Sequence, residues 1–199
     1  MLIAVLGRKS SGKDTFANIL INEFGFTRYA FADPLKRGIQ SFFNLSEEQL
    51  YDVELKEKID ERWGVSPRIL FQVFGTDLFQ FSIKKFIPEL KCDERKHWVI
   101  LFKEWYLKKI SENPNFKVII SDGRFIHEIE EIKSLGGYVV KIVRPSAEIK
   151  GDKHQSEIEI DSIPEKYIDL SINNDELLED FNNKIRLFMN SERYLGEYK

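Results

Sequence analysis

Five apolar residues, Leu2-Ile3-Ala4-Val5-Leu6, run without a break into Gly7, and together with the glycine-rich segment beyond them they constrain the fold more than any other feature of the chain. A continuous apolar run of this length, stopped by glycine, predicts a strand buried on both faces, as in a parallel sheet. Gly7-Arg8-Lys9-Ser10-Ser11-Gly12-Lys13 then fits the pattern G-x-x-x-x-G-K. Glycines let such a loop turn tightly, so that successive N–H groups point inward at an anion. Apolar residues at helical spacing come next in Phe16, Ile19, Leu20 and Phe24, and Gly25 closes that helix. A helix beginning near Lys13 adds the positive end of its dipole, and the lysine meets the most highly charged phosphates. The expectation is a phosphate cradle of Gly7, Lys9, Ser10, Ser11, Gly12 and Lys13, with Lys13 also catalytic. The competing reading is a glycine-rich turn that binds nothing.

The pattern departs from its usual form at one place. The Ser or Thr that commonly follows the lysine and holds magnesium is replaced by Asp14, followed by Thr15. Either Asp14 contacts the magnesium shell or Thr15 takes part of that role. An acid in the first turn of a helix is favourable in any case. Val118-Ile119-Ile120-Ser121-Asp122-Gly123-Arg124 forms a second constellation. An acid at the end of a buried strand, such as Asp122, can hold magnesium through water. Arg124 can clamp a phosphate with its planar fork. The structural alternative for Asp122 is a cap on the next helix.

The rest of the chain supports an α/β fold: a parallel sheet of about five strands flanked by helices. Strands are expected at Phe26–Phe31, Val118–Ile120, Tyr138–Val143 and Tyr167–Ile172. Helices are expected over about Ile126–Leu135, closed by Gly136-Gly137, and at the C-terminus. From about 33 to 116 no strand is convincing. Apolar residues there recur at helical spacing, as in Ile69, Leu70, Val73 and Phe74, then Trp98, Leu101, Phe102 and Trp105. That stretch is expected to be a helical insertion within one domain spanning 1–199.

A formal net charge of −3 over 199 residues disfavours a general nucleic-acid binder, which is usually basic. The single cysteine, Cys92, excludes an internal disulfide framework. No apolar run reaches the roughly 20 residues of a membrane span, and no signal peptide is legible, so the cytoplasm is the expected compartment.

At these residues the chain resembles the deoxynucleoside monophosphate kinases of bacteriophages and large DNA viruses. Ser11-Gly12-Lys13-Asp14-Thr15 is similar to their loop, including the unusual acid. Phe31-Ala32-Asp33-Pro34-Leu35-Lys36 is similar to their segment after the second strand. Pro67-Arg68-Ile69-Leu70-Phe71-Gln72, running on to Gly75-Thr76-Asp77, resembles their P-R-x-L-x-Q-x-x-G-T-D helix. Asp122-Gly123-Arg124 with Glu128 resembles a further element, Val143-Arg144-Pro145 with His154 to Glu157 their lid, and Ile172-Asn173-Asn174-Asp175 their adenine-side loop.

The resemblance implies ATP and Mg²⁺ as cofactors, a deoxynucleoside monophosphate as acceptor, and a lid over about 145–160. It places Lys36 and Arg68 on the acceptor phosphate, with Lys9 and Arg124 near the same space. Gln72 and Asp77 would face base or sugar, although an N-cap or a core contact is an equal alternative for Asp77. Glu128 would orient Arg124. Arg144, Lys150 and Lys153 are lid candidates, the two lysines reading as well as a solvated charge run. Asn173 and Asn174 would bring backbone near adenine or form a plain turn. His154 reads as exposed, and His97 and His127 as structural. The implied reaction supplies precursors of deoxynucleoside triphosphates, in the host cytoplasm if the chain is virus-encoded. Oligomeric state stays open, a homodimer included. Two rivals remain: another small-molecule kinase with the same loop, such as a phosphomevalonate kinase, and a non-catalytic ATP-binding switch.

Overall fold

The computed structural model describes residues 1–93, 95–145 and 162–191. The chain divides into two compact units, one of Met1–Ala30 with Trp105–Lys199, the other of Phe31–Glu104.

The first unit is built on a five-stranded sheet with strand order β2-β3-β1-β4-β5, every pair parallel. The strands are β1 (Leu2–Leu6), β2 (Thr27–Tyr29), β3 (Val118–Ile120), β4 (Tyr138–Val143) and β5 (Leu170–Asn173). All five residues of β1 are buried, as expected of a strand covered on both faces. On one face Ile3, Val5, Ile119, Val140, Ile142 and Ile172 pack in a single core with two helices, α1 (Lys13–Phe24) and the C-terminal helix Leu178–Asn190. The helices contribute Phe16, Ala17, Ile19 and Leu20, and Phe181, Ile185, Phe188 and Met189. Each large side chain so buried stabilises the unit by roughly 1.5–3 kcal/mol.

Two strands are shorter than the sequence predicts. β2 loses both ends. Phe26 gives its N–H to Leu20 at the close of α1, and Phe31 is the N-cap of the next helix. β5 begins late because Glu165–Tyr167 form a 3₁₀ turn and the Asp169 carboxylate intervenes. That carboxylate accepts the Val139 N–H at 2.7 Å and pairs with Lys133 at 2.8 Å.

The second unit is helical: α2 (Ala32–Phe43), α3 (Glu47–Tyr51), α4 (Pro67–Gln72), a π-helical stretch Val73–Ser82 and α5 (Ile83–Phe86), followed by the first part of α6 (His97–Glu112). Its core is Ile39, Leu45, Leu50 and Leu70, with Phe43 and Phe74 packed against it. Asp60 ties the long connection before α4. Its carboxylate accepts from Arg62 at 2.6 and 2.9 Å and from Gln49 at 2.9 Å, and the Arg62 bonds, foremost, hold it well below the usual carboxylate range. Ser66 caps α4, and Pro67 stands at its first position, where a missing N–H costs nothing. Of the expected apolar stripe Ile69, Leu70, Val73 and Phe74, only Leu70 is buried, and Ile69 and Val73 are exposed. From Val73 the helix widens to i→i+5 bonding, so a 3.6-residue repeat no longer tracks one face.

In the first unit α7 (Ile126–Ser134) opens with a buried acid that turns back on the chain. Glu128 Oε2 accepts the N–H of Arg124 at 2.7 Å and that of Phe125 at 3.1 Å. Burial, above all, pushes the Glu128 carboxyl up to about 8, and the neighbouring Asp122 charge adds to this; the two N–H bonds and Arg124 oppose it. An acid whose pKa is raised on folding holds its proton better folded than unfolded. Its contribution to stability is complete below the ordinary carboxylate range and is lost as pH rises towards about 8. Glu128→Gln keeps an acceptor for the two N–H groups but cannot ionise. Urea unfolding of parent and variant between about pH 5 and pH 8 is expected to show the parent's stability falling by up to about 1.4 kcal/mol per pH unit more steeply than the variant's.

Candidate active site

The loop that leaves β1 is shaped by two glycines that no other residue could replace without strain. Gly7 and Gly12 have φ of 150° and 111°. A Cβ at Gly7 would stand 2.5 Å from Ser11 Oγ and 2.7 Å from the Ile142 carbonyl oxygen. One at Gly12 would stand 2.6 Å from Asn174 Nδ2 and 3.0 Å from the Phe181 ring. Ser10 is also left-handed, at φ 63°, a conformation that costs a non-glycine residue about 1–2 kcal/mol. Lys13 curls back over the loop and donates to the carbonyls of Gly7 and Arg8, both at 2.6 Å. Gly12 is the N-cap of α1 and offers no side-chain acceptor to the first turn. N–H groups at such an end are satisfied by water or by an anion. Backbone N–H groups, a helix start and a lysine therefore converge, and this donor set fits the phosphates of a nucleotide.

Sheet order explains what surrounds the loop. β3 and β4 lie on either side of β1, with Ala4 opposite Ile120 and Leu6 opposite Lys141. The segments that come after these three strands leave the sheet at one edge, the edge where open α/β sheets bind ligands. After β3 come Asp122 and Arg124, both half-buried, with Glu128 holding the main chain at Arg124. After β4 comes Arg144, whose guanidinium donates to the Ser10 carbonyl at 3.2 Å. At the end of β5 come Asn173, exposed, and Asn174, buried. The Asn174 amide donates to the Ser11 carbonyl at 2.8 Å. Neither this bond nor the packing of Phe181 under Gly12 has a signal in the sequence, because the partners are more than 160 residues apart.

Asp14, exposed, and Thr15, half-buried, stand on the first turn of α1. With Asp122 they offer the hard oxygen donors that magnesium takes. No group of three or more His, Cys, Asp or Glu that could hold a metal occurs among the described residues. A magnesium ion bound through one or two carboxylates, water and substrate phosphates needs no such cage.

The remaining predicted residues belong to the second unit. Lys36, on α2, places its ammonium 4.3 Å from the centre of the Tyr51 ring. Arg68 is the second residue of α4, half-buried, with its Nε 3.8 Å from Glu57. An exposed pair of this length contributes only ~0–1 kcal/mol and gives way readily to a better anion. Gln72 ends α4 and Asp77 lies in the π-helical stretch, both exposed. Wide turns of this kind are frequent at functional sites. Trp98 steadies the stretch by donating its indole N–H to the Gly75 carbonyl at 3.1 Å, and His97 and Phe79 pack beside it. Of the expected lid only Arg144 and Pro145 fall within the described residues; Lys150, Lys153 and His154 lie outside them.

Comparison with known proteins gives a consistent result. The family model of deoxynucleotide monophosphate kinases matches residues 1–59 and 51–185. A protein of Acanthamoeba polyphaga mimivirus, whose name assigns it to the deoxynucleotide monophosphate kinases, is 41% identical over 187 residues, covering 93% of this chain and 94% of its own. The deoxynucleotide monophosphate kinase of Enterobacteria phage T4 is 25% identical over 250 aligned positions, covering 93% and 97% of the two chains. In fold, the chain is similar to the dephospho-CoA kinase of Campylobacter jejuni, with a TM-score of 0.51 and 21% identity over 94% of each chain. The phosphate loop, its flanking acid and arginines and the match along nearly the whole sequence agree: the chain belongs to the deoxynucleotide monophosphate kinase family.

Proposed function

We propose that the protein transfers the γ-phosphoryl group of ATP to a deoxynucleoside monophosphate, yielding ADP and the deoxynucleoside diphosphate, and so feeds the supply of deoxynucleoside triphosphates. The observation that carries this reading is the glycine-shaped loop Gly7–Lys13 at the end of β1, within a chain that the family matches from residue 1 to residue 185. The family match favours a nucleotide acceptor over phosphomevalonate. Among the described residues no helix is long and apolar enough to cross a membrane. The cytoplasm, where ATP and nucleotides are available, suits the reaction.

In the transfer, an oxygen of the acceptor phosphate forms a bond to the γ-phosphorus as the bond to the β–γ bridging oxygen breaks. The acceptor oxygen is already anionic near neutral pH, so neither a covalent nucleophile nor a strong base is required. What the protein must supply is position and positive charge. Loop N–H groups, that of Gly12 among them, and the first turn of α1 hold the β- and γ-phosphates. The Lys13 ammonium, with three N–H donors, turns towards the phosphate oxygens and follows the charge as it moves. Arg124 and Arg144 add planar guanidinium donors, and Lys9 adds a further positive charge for the acceptor phosphate. Asp14, Thr15 and Asp122 would hold a magnesium ion, directly or through water, and the ion would supply further charge neutralisation. Lys36 and Arg68 hold the acceptor phosphate, Gln72 and Asp77 face its base and sugar, and Asn173 lies beside adenine. Glu128 acts on Arg124 by fixing its main chain.

A coupled assay of ADP release against a panel of nucleoside and deoxynucleoside monophosphates tests the reading. Release is expected to rise at least about 10²-fold over the ATP-only background with one or more deoxynucleotides. A rate that no monophosphate changes would contradict it. Arg68 generates a second test. A bidentate guanidinium–phosphate pair is geometric, and a lysine point charge replaces it poorly. Arg68→Lys is expected to raise the KM for the monophosphate tenfold or more, equivalent to about 1.4 kcal/mol, while the KM for ATP stays within about twofold. If both constants stay put, or only that for ATP rises, Arg68 does not hold the acceptor.

A further inference from the structure

The side chain of Asn174 is buried, yet it succeeds an edge strand whose last residue, Asn173, is exposed. Its own N–H donates to the Val143 carbonyl at 2.8 Å, which fixes it to the end of β4. Its side-chain nitrogen lies 2.8 Å from the carbonyl oxygen of Ser11. A carbonyl can only accept, so the facing atom of Asn174 must be the amide nitrogen. The fit is close: a Cβ on the adjacent Gly12 would stand 2.6 Å from that nitrogen.

The contact sets the orientation of the loop's backbone. In a trans peptide the carbonyl of one residue and the N–H of the next point in opposite directions. Holding the Ser11 carbonyl towards Asn174 turns the Gly12 N–H the other way. Arg144 does the same one residue earlier by holding the Ser10 carbonyl at 3.2 Å. The Ser11 N–H that results is used inside the loop, on the Arg8 carbonyl at 3.1 Å. Of the two peptide planes held from outside, the one set by Asn174 is therefore the one left with an N–H to offer.

We infer that Asn174 is a positioning residue for the phosphate loop: its amide fixes the Ser11–Gly12 peptide plane, so that the Gly12 N–H is presented to the triphosphate whatever base the nucleotide carries. This rests on the proposed use of ATP. It differs from a role at adenine, because a contact to adenine is felt only by ligands that contain a base. Inorganic tripolyphosphate has the phosphates and no base, so it separates the two.

Titration calorimetry on the full chain with ATP, GTP and tripolyphosphate makes the test. Asn174→Asp keeps the shape and loses the donor; Asn174→Ala loses it without adding charge. Both variants are expected to bind all three ligands at least tenfold more weakly than the parent, with the ATP-to-GTP ratio unchanged and the KM for the monophosphate within about twofold. Normal tripolyphosphate binding with weakened ATP binding would assign Asn174 to adenine and overturn the inference. So would parental affinity for all three ligands. Loss of the folded circular dichroism spectrum in both variants would make the contact a structural strut and overturn the positioning role. A parent that binds neither ATP nor tripolyphosphate would overturn the ATP reading itself, and the inference with it.

Discussion

A backbone loop that turns N–H groups towards an anion turns carbonyl groups away from it, and those carbonyls need donors of their own. The rest of the site is arranged around this requirement. In the first unit the carbonyls of Gly7 and Arg8 take the Lys13 ammonium, that of Ser10 takes Arg144, and that of Ser11 takes Asn174. These donors come from the first turn of α1 and from the ends of β4 and β5. The parallel register that stacks β1 against β4, and β4 against β5, brings them to one edge. The positive φ values at Gly7, Ser10 and Gly12 are thus held by long-range contacts as much as by the loop's own sequence.

Charge is distributed to suit a reaction between two anions. The protein carries a formal net charge of −3, so attraction for phosphate is local. The first unit concentrates Lys9, Lys13, Arg124 and Arg144 on the segments beyond the sheet edge. The second unit presents Lys36 on α2 and Arg68 on α4, where the pair of Arg68 with an exposed glutamate, Nε 3.8 Å from Glu57, is a weak one. Buried Glu128 uses its acceptor capacity on main-chain N–H groups and, with its pKa at about 8, adds little negative charge beside Asp122 at neutral pH.

Much of this is legible in the sequence, for identifiable reasons. β1, the loop and α1 are local: an apolar run, glycines at fixed spacing and a 3.6-residue repeat sit within 25 residues. Val118–Ile120 and Tyr138–Val143 stand out as β-branched, largely buried runs, the second broken only by Lys141. Pro67 alone places Arg68 at a helix start. The features that escape are not local. Asp169 delays β5 through bonds to Lys133 and Val139, 36 and 30 residues away. The π-helical stretch takes its wide turns where Trp98 grips Gly75, and no periodicity in Val73–Ser82 announces it. Asn174 looks in sequence like half of an Asn-Asn turn, and only the sheet order shows that its amide reaches the loop.

In the proposed reaction the phosphoryl group passes from ATP to a monophosphate, with the protein supplying position and charge. ATP labelled with ¹⁸O on the γ-phosphate, turned over with the preferred deoxynucleoside monophosphate and analysed by mass spectrometry, tests it most directly. The account predicts that the label appears in the terminal phosphate of the deoxynucleoside diphosphate, in step with ADP formed. Label recovered as inorganic phosphate, with the monophosphate unchanged, would contradict it.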